Sequence, residues 1–359
     1  MESKSLIKAA ILTFMLAIGF IVYLELYWRG RGFMPTYNDD KVLWSTKRKE
    51  IYKPAEEATV FIGGSRIKFD LDVPTWEKLT GEKAIQLAIA GTPGRLVLRD
   101  LANDENFKGK VIMDVADAQF FSFPDSARRD RLAREAIAYY YDETPAQRAS
   151  AYINYFLESK LVLLEEGKYG LTSLLDDLHL TNRPGVNVSP ATFTPKEFGV
   201  INFNRQTCIT PMFLADPKLQ KRQKDFWTRG IKNASPIKGD TLHAFLEQTK
   251  KAIDKIRARG GKVVFVRPPS DGPYIEMETR LYPRQKYWDQ LLKYTNSFGI
   301  HFSDYPIISK LKCAEWSHLA QPDAARYTVQ LVRILHEEAG WEFPNTKKNS
   351  KSTFQLLNK

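Results

Sequence analysis

The sequence predicts an α/β protein: a central parallel sheet covered on both faces by helices, carrying a largely helical insertion and preceded by one transmembrane helix. Three observations predict it. Short β-branched apolar runs that end at glycine or proline alternate with stretches of helical periodicity, the pattern of strand–helix–strand units. A long uncharged apolar run stands near the amino terminus. The alternation breaks between about residues 126 and 235 and then resumes, as expected of an insertion packed over one side of the sheet as a lid.

In chain order, a short flank (1–8) precedes residues 9–24, AAILTFMLAIGFIVYL, which carry no charge. Glu25 interrupts the run, and Leu26, Tyr27 and Trp28 extend the span 9–28 to about 20 residues, enough to cross ~30 Å of hydrocarbon. Tyr23, Tyr27 and Trp28 cluster at the distal end, where aromatic side chains prefer the membrane interface. No Ala-x-Ala cleavage site follows, so an uncleaved signal anchor is expected. Lys4 and Lys8 before the span balance Arg29 and Arg31 after it, and the positive-inside rule does not choose an orientation. A very short flank before a large domain usually stays inside, which puts the domain outside the cytoplasm, on the periplasmic side, with a single-pass anchor in the cell membrane.

Residues 29–56 read as a polar connector with some helical content, and 57–340 as the α/β domain. Strands are predicted at Ala58–Ile62, Lys83–Ala90, Lys110–Val115, Lys262–Val266 and, more weakly, Gly299–Phe302. Helices are predicted at 95–103, 240–258, 284–297 and 322–339, with helical character at 126–141 and 145–167 inside the insertion. A Pro, Asn and Thr-rich stretch at 181–215 shows no periodicity. Residues 341–359 read as a basic disordered tail.

With 359 residues, 43% hydrophobic and 26% charged, the chain has globular composition and enough length to build a core without disulfides or metals. Its two cysteines, Cys208 and Cys313, belong to no Cys-x-x-Cys pair and no Cys/His cluster, so no metal site and no cofactor are expected. The pair is open to two readings, a disulfide outside the cytoplasm or two separate buried thiols. The net charge of +11 suits an anionic partner. No nucleic-acid motif accompanies it, and a solvated surface beside a negatively charged membrane accounts for it.

Ligands of open parallel sheets bind at the carboxyl ends of the strands, and three motifs stand there. Gly63-Gly64-Ser65-Arg66 follows the first strand; the glycines permit a tight strand-to-helix turn that exposes the Ser65 hydroxyl, and backbone N–H groups at the helix start suit an oxyanion. Glu315-Trp316-Ser317-His318 precedes the last helix; three residues apart in a helical turn, carboxylate and imidazole share a face, so the acid can orient the ring toward a serine. Gly91, after the second strand, lets a backbone N–H approach a ligand. Taken singly, each also has a plain structural explanation.

Taken together, the serine at the first strand tip, the glycine after the second and the acid-x-x-His before the last helix resemble the SGNH/GDSL hydrolase superfamily over about residues 57–125 and 260–339. The resemblance implies a three-layer flavodoxin-like fold and acyl transfer to water or to another hydroxyl. It implies Ser65 as nucleophile, His318 and Glu315 as its partners, and an oxyanion hole built on Ser65 and Gly91. Two departures stand out. The acid is Glu where the family has Asp, and the family's Gly-x-Asn-Asp block is missing. The matching strand end offers Asp117 or Gln119 instead. A carboxylate there would oppose an oxyanion, and losing one donor typically costs ~10²–10³ in rate.

Membrane-anchored relatives with a similarly reduced motif set occur among alginate O-acetylation accessory proteins and the D-alanyl-lipoteichoic acid biosynthesis protein. Resemblance to that branch implies an acylated cell-surface glycan as substrate and a membrane O-acyltransferase as partner. Candidate substrate contacts are Arg66, Asp117, Gln119, Arg267, Tyr274 and Trp316. For Arg66 a structural ion pair is the alternative, for Arg267 and Tyr274 a rigid turn, and for Trp316 packing under the catalytic loop. His179, His243, His301 and His336 are assigned surface or core roles. Two other function classes compete: a non-catalytic scaffold of the same fold, and a lipid-active esterase.

Overall fold

Strands β1 (Ala58–Ile62), β2 (Lys83–Gln86), β3 (Lys110–Asp114), β6 (Lys262–Arg267) and β7 (Gly299–His301) form one sheet in the order β2-β1-β3-β6-β7, every neighbour parallel. The remaining two, β4 (Gly199–Ile201) and β5 (Thr207–Ile209), make a separate antiparallel hairpin in the insertion. The computed structural model describes residues 2–122, 130–169, 194–232 and 234–348. The start of the helix expected at 126–141, much of the 181–215 stretch, His179 and the end of the expected tail lie outside them.

The strands are apolar throughout because both of their faces are covered. Period-two alternation divides their side chains between two cores. Val60, Ile62, Val111, Met113, Val263 and Phe265 join one cluster, under helices that include Arg95–Asn103, Gly239–Ala258 and Trp288–Thr295. Phe61, Ile112, Val264, Val266 and Ile300 join the other, under Val73–Thr80 and Gln321–Glu337. The chain leaves β1 for β2 on one side and returns to β3 on the other. The carboxyl ends of these strands therefore border the crevice where ligands bind in such sheets.

Several boundaries differ from those expected. β2 stops at Gln86, not Ala90, because the Gln86 carboxamide takes the Ala88 N–H (3.0 Å), although Leu87 still donates to Phe61. The connector belongs to the domain: Leu43, Trp44 and Ile51 are buried, and the Trp44 indole donates to the Leu87 carbonyl (2.9 Å). Within its Lys41–Arg48 helix, the fully buried Arg48 bridges Asp100, on the helix Arg95–Asn103, and Asp104, the residue that follows it (2.7 and 2.8 Å). Nor does the tail begin at 341. Trp341 and Phe343 are buried in the second core, with Phe343 edge-on to Trp76, and a short helix follows at Pro344–Lys348.

The helix expected at 145–167 ends at Glu158, where the chain turns toward the amino-terminal helix. The segment expected as one helix over 284–297 is a 3₁₀ turn, Arg284–Lys286, followed by Trp288–Thr295. The amino-terminal helix runs from Glu2 to Gly30 and is long and apolar enough to cross a membrane. Glu25, which breaks its apolar run, accepts the backbone N–H groups of Val162 and Leu163 (3.0 and 3.2 Å) and pairs with Arg29 (2.7 Å). Cys208 and Cys313 are separate free thiols, and of the two only Cys313 is buried.

Candidate active site

Gly63 makes the turn after β1: its φ of +136° is closed to side chains, and a Cβ there would strike Asp114. A Cβ at Gly64 would meet the carboxamide oxygen of Gln119 and displace it. The chain then enters the short helix Ser65–Asp70 with Ser65 at its first position. Two buried carboxyls hold this turn. Asp114 accepts the Gly64 N–H (3.2 Å); burial pushes its carboxyl up to about 6, with Arg66 and the Gly64 N–H pulling the other way. Asp70 accepts the Leu319 N–H (2.8 Å) and so ties the serine helix to the loop that carries His318.

The structure brings the three central residues together in one chain of hydrogen bonds. Ser65 Oγ lies 2.8 Å from His318 Nε2, and His318 Nδ1 lies 2.9 Å from Glu315 Oε1. Glu315 and His318 are buried. They do not share a helical turn, as expected from their spacing. They meet across a loop closed by the bridge between Cys313 and Leu319, in which Trp316 takes a left-handed φ of +79°. That conformation is costly for a bulky residue, and here it turns both functional side chains inward. Phe69 lies over the imidazole at 4.2 Å between ring centres, and Phe198 and Trp227 complete an apolar surround.

One contributor comes from the insertion and went unseen in the sequence. The indole Nε1–H of Trp227, on the helix Pro217–Lys232, donates to Glu315 Oε2, the oxygen that His318 does not use. Both carboxylate oxygens are thereby engaged and the acid is fixed. The available signal was an aromatic pair, Phe226-Trp227, in an otherwise polar and basic stretch. Trp227→Phe keeps the ring over His318 and removes the donor. Losing a hydrogen bond to a buried charged group costs about 1–3 kcal/mol, so a destabilisation on that scale is expected in thermal denaturation, with an unchanged circular dichroism spectrum at room temperature.

Ser65, His318, Gly91, Gln119, Phe69, Phe198, Phe226 and Trp227 line a cavity of about 460 Å³, roofed by the insertion. Lys68, one turn beyond Ser65, belongs to its wall and pairs with Asp39, which also holds Arg205 (2.8 Å). Neither Lys68 nor Asp39 was singled out in the sequence, because polar residues of a connector and a helix interior carry no local mark of a shared site. Lys168 also lines the cavity, and the adjacent Tyr169 ring packs on Trp28 at 4.6 Å. Through Lys168 and Tyr169, one wall of the cavity thus adjoins the end of the amino-terminal helix.

The candidate substrate contacts divide. Gln119 is in the cavity lining. Arg66, Asp117 and Arg267 are tied into a buried ionic network: Glu278 binds Arg66 through Oε1 (2.8 Å) and Arg267 through Oε2 (2.6 Å), and Arg267 Nε binds Asp117 (2.9 Å). Burial alone would raise the Glu278 carboxyl, but the two arginines outweigh it and hold it below its ordinary range. The ion pairs of all three therefore run within this network, with Glu278 at its centre. Tyr274 stacks under the Arg66 guanidinium at 5.3 Å, and Trp316 packs on Gly272. Elsewhere, the His301 ring is pushed down to about 3 by burial and by Arg267 and Arg284, and His336 bonds the Trp341 carbonyl (2.9 Å). Among the described residues no His, Cys, Asp and Glu cluster is arranged to hold a metal ion.

Compared with models of known protein families the chain matches none, and no curated protein matches it.

Proposed function

We propose that this chain is a membrane-anchored, extracytoplasmic serine esterase or O-acyltransferase of SGNH type, acting on acyl groups of a cell-surface glycan. The observation that carries the reading is the unbroken bond chain from Glu315 through His318 to Ser65 at the tip of β1. The strand order supports it, being the flavodoxin-like one with Ser65 beside the crossing point.

In this reading Ser65 Oγ attacks the ester carbonyl as His318 Nε2 takes its proton, and Glu315 stabilises the imidazolium. The oxyanion is received by the backbone N–H groups of Ser65 and Gly91, with Gln119 in the place of the family's asparagine. The Gln119 oxygen abuts Gly64 and has no hydrogen-bond partner, which leaves the amino group of the carboxamide as its donor toward the cavity. Asp117, committed to Arg267, does not oppose the developing charge. His318 then returns the proton to the departing alcohol, and water or a sugar hydroxyl resolves the acyl-enzyme. The closeness of the cavity to the membrane end of the anchor supports an acyl group handed over at the bilayer, by a membrane O-acyltransferase partner.

The competing reading, a catalytically silent scaffold, draws on the missing asparagine. A fluorophosphonate probe separates the two. The intact chain is expected to be labelled and to hydrolyse p-nitrophenyl acetate, and Ser65→Ala to do neither. Absence of serine-dependent labelling and of hydrolysis in the intact chain would sink the enzyme reading.

A further inference from the structure

The helix Pro145–Glu158 is built inside out. Its inward face consists of Ala151, Tyr155 and Glu158, which are buried. The opposite face carries Tyr152 (65% exposed), Ile153 (63%), Phe156 (64%) and Leu157 (37%), at the i, i+1, i+4, i+5 spacing that makes one stripe. A helix bathed in water on its outer side would show polar residues there. Single exposed apolar residues need no account, but a contiguous stripe of four large ones marks a contact surface.

What covers this stripe is given by where the helix is fastened. The chain leaving it is bolted to the end of the amino-terminal helix. Arg29 Nη2 donates to the Lys160 carbonyl (2.5 Å), Glu25 accepts Val162 and Leu163, and Tyr169 packs on Trp28. Phe156 lies one helical turn before Lys160. The stripe therefore sits on a helix whose carboxyl end is joined to the amino-terminal helix at Glu25, Trp28 and Arg29, in the segment where Tyr23, Tyr27 and Trp28 are the aromatic residues expected at the membrane interface.

We propose that the Pro145–Glu158 helix lies in the interfacial layer of the bilayer that the amino-terminal helix crosses, inserting Tyr152, Ile153, Phe156 and Leu157 among the acyl chains. The domain then meets the membrane at two points, one spanning and one lying flat. Two contacts fix its tilt and hold the cavity wall at Lys168 at a constant height above the lipid. This inference rests on the amino-terminal helix being a membrane span.

The test uses the full chain carrying Cys208→Ser, which leaves only the buried Cys313. Single cysteines introduced by Ile153→Cys and Phe156→Cys receive nitroxide labels, and the protein is reconstituted into phosphatidylcholine–phosphatidylglycerol vesicles. Ile18→Cys serves as control within the span and Lys251→Cys as control on a watered helix. At 153 and 156 the accessibility to oxygen relative to a nickel chelate is expected to be several-fold above that at 251 and to approach that at 18. Values at 153 and 156 that match 251, with 18 oxygen-rich, overturn the flat contact and leave the span standing. Labels at 153 and 156 that are immobile and closed to both reagents overturn it in favour of a second copy or another protein. An oxygen-poor label at 18 removes the span itself and the inference with it.

Discussion

His318→Gln is expected to slow ester cleavage by on the order of 10⁴-fold or more while the protein stays folded, the scale seen when a member of a serine triad is removed. The argument runs through the two ring nitrogens. Nε2 meets Ser65 Oγ at 2.8 Å and is the only base in that bond chain able to take its proton, while Nδ1 is held by Glu315 at 2.9 Å. A glutamine side chain can still donate to Glu315, so the buried carboxylate is not stranded, but it cannot act as a base toward the serine. The loss should fall on kcat, since the aromatic lining made by Phe69, Phe198 and Trp227 is untouched and substrate binding has no reason to change. The check is p-nitrophenyl acetate hydrolysis across substrate concentration, together with the rate of fluorophosphonate labelling of Ser65. Comparable rates in the variant and the parent would show that His318 does not activate the serine, whatever its distance.

What could be read in the sequence follows from what is local. A buried parallel strand is a short apolar run whichever neighbours it pairs with, so the positions of β1, β3 and β6 are legible from composition and their bounding glycines and prolines. Ser65 could be placed because the turn chemistry that exposes it, Gly63-Gly64, is adjacent in sequence. Glu315 and His318 are legible as a pair from spacing, but a loop with a left-handed Trp316 brings them together, not a helical face. That conformation depends on packing around Gly272, which no short window of sequence contains.

The unread features are those made by contacts between distant segments. Trp227 reaches Glu315 across 88 residues, and Asp39 reaches Arg205 across 166. The same holds for the exposed apolar face at 152–157. Periodicity marks one apolar stripe on that helix but does not say which side the domain will cover. The fold covers the face with Tyr155, whose hydroxyl meets Thr46 at 2.9 Å, and leaves the more apolar face outside. An amphipathic pattern gives a helix its faces; only tertiary contacts say which face is turned inward.

The buried ionic network behind the site yields the largest stability effect. Glu278→Gln is expected to destabilise the domain by about 3–5 kcal/mol, a fall in Tm on the order of 10 °C for a domain of this size. Glu278 is the shared partner of two arginines that are themselves 2% and 1% exposed. With a neutral amide in its place, Arg267 retains Asp117, but Arg66 loses its ion pair with Glu278 and keeps a weak contact with Ser317 (3.4 Å), the Tyr274 ring and the more distant Asp114 carboxyl, and its Nη1 already has no hydrogen-bond partner. A guanidinium stranded away from water is what makes breaking a buried pair costly, more than the attraction lost. Adding Arg66→Met to Glu278→Gln should therefore recover much of the loss, and a double-mutant cycle measures how much. The pH dependence has a definite sign. The carboxyl of Glu278 is held below its unfolded value, so its contribution is complete above about pH 4.5 and is lost as pH falls through the folded value. Thermal denaturation of parent and variant should differ fully at neutral pH and converge under acid. A difference that stayed constant down to strong acid would mean that the glutamine disturbs packing rather than charge.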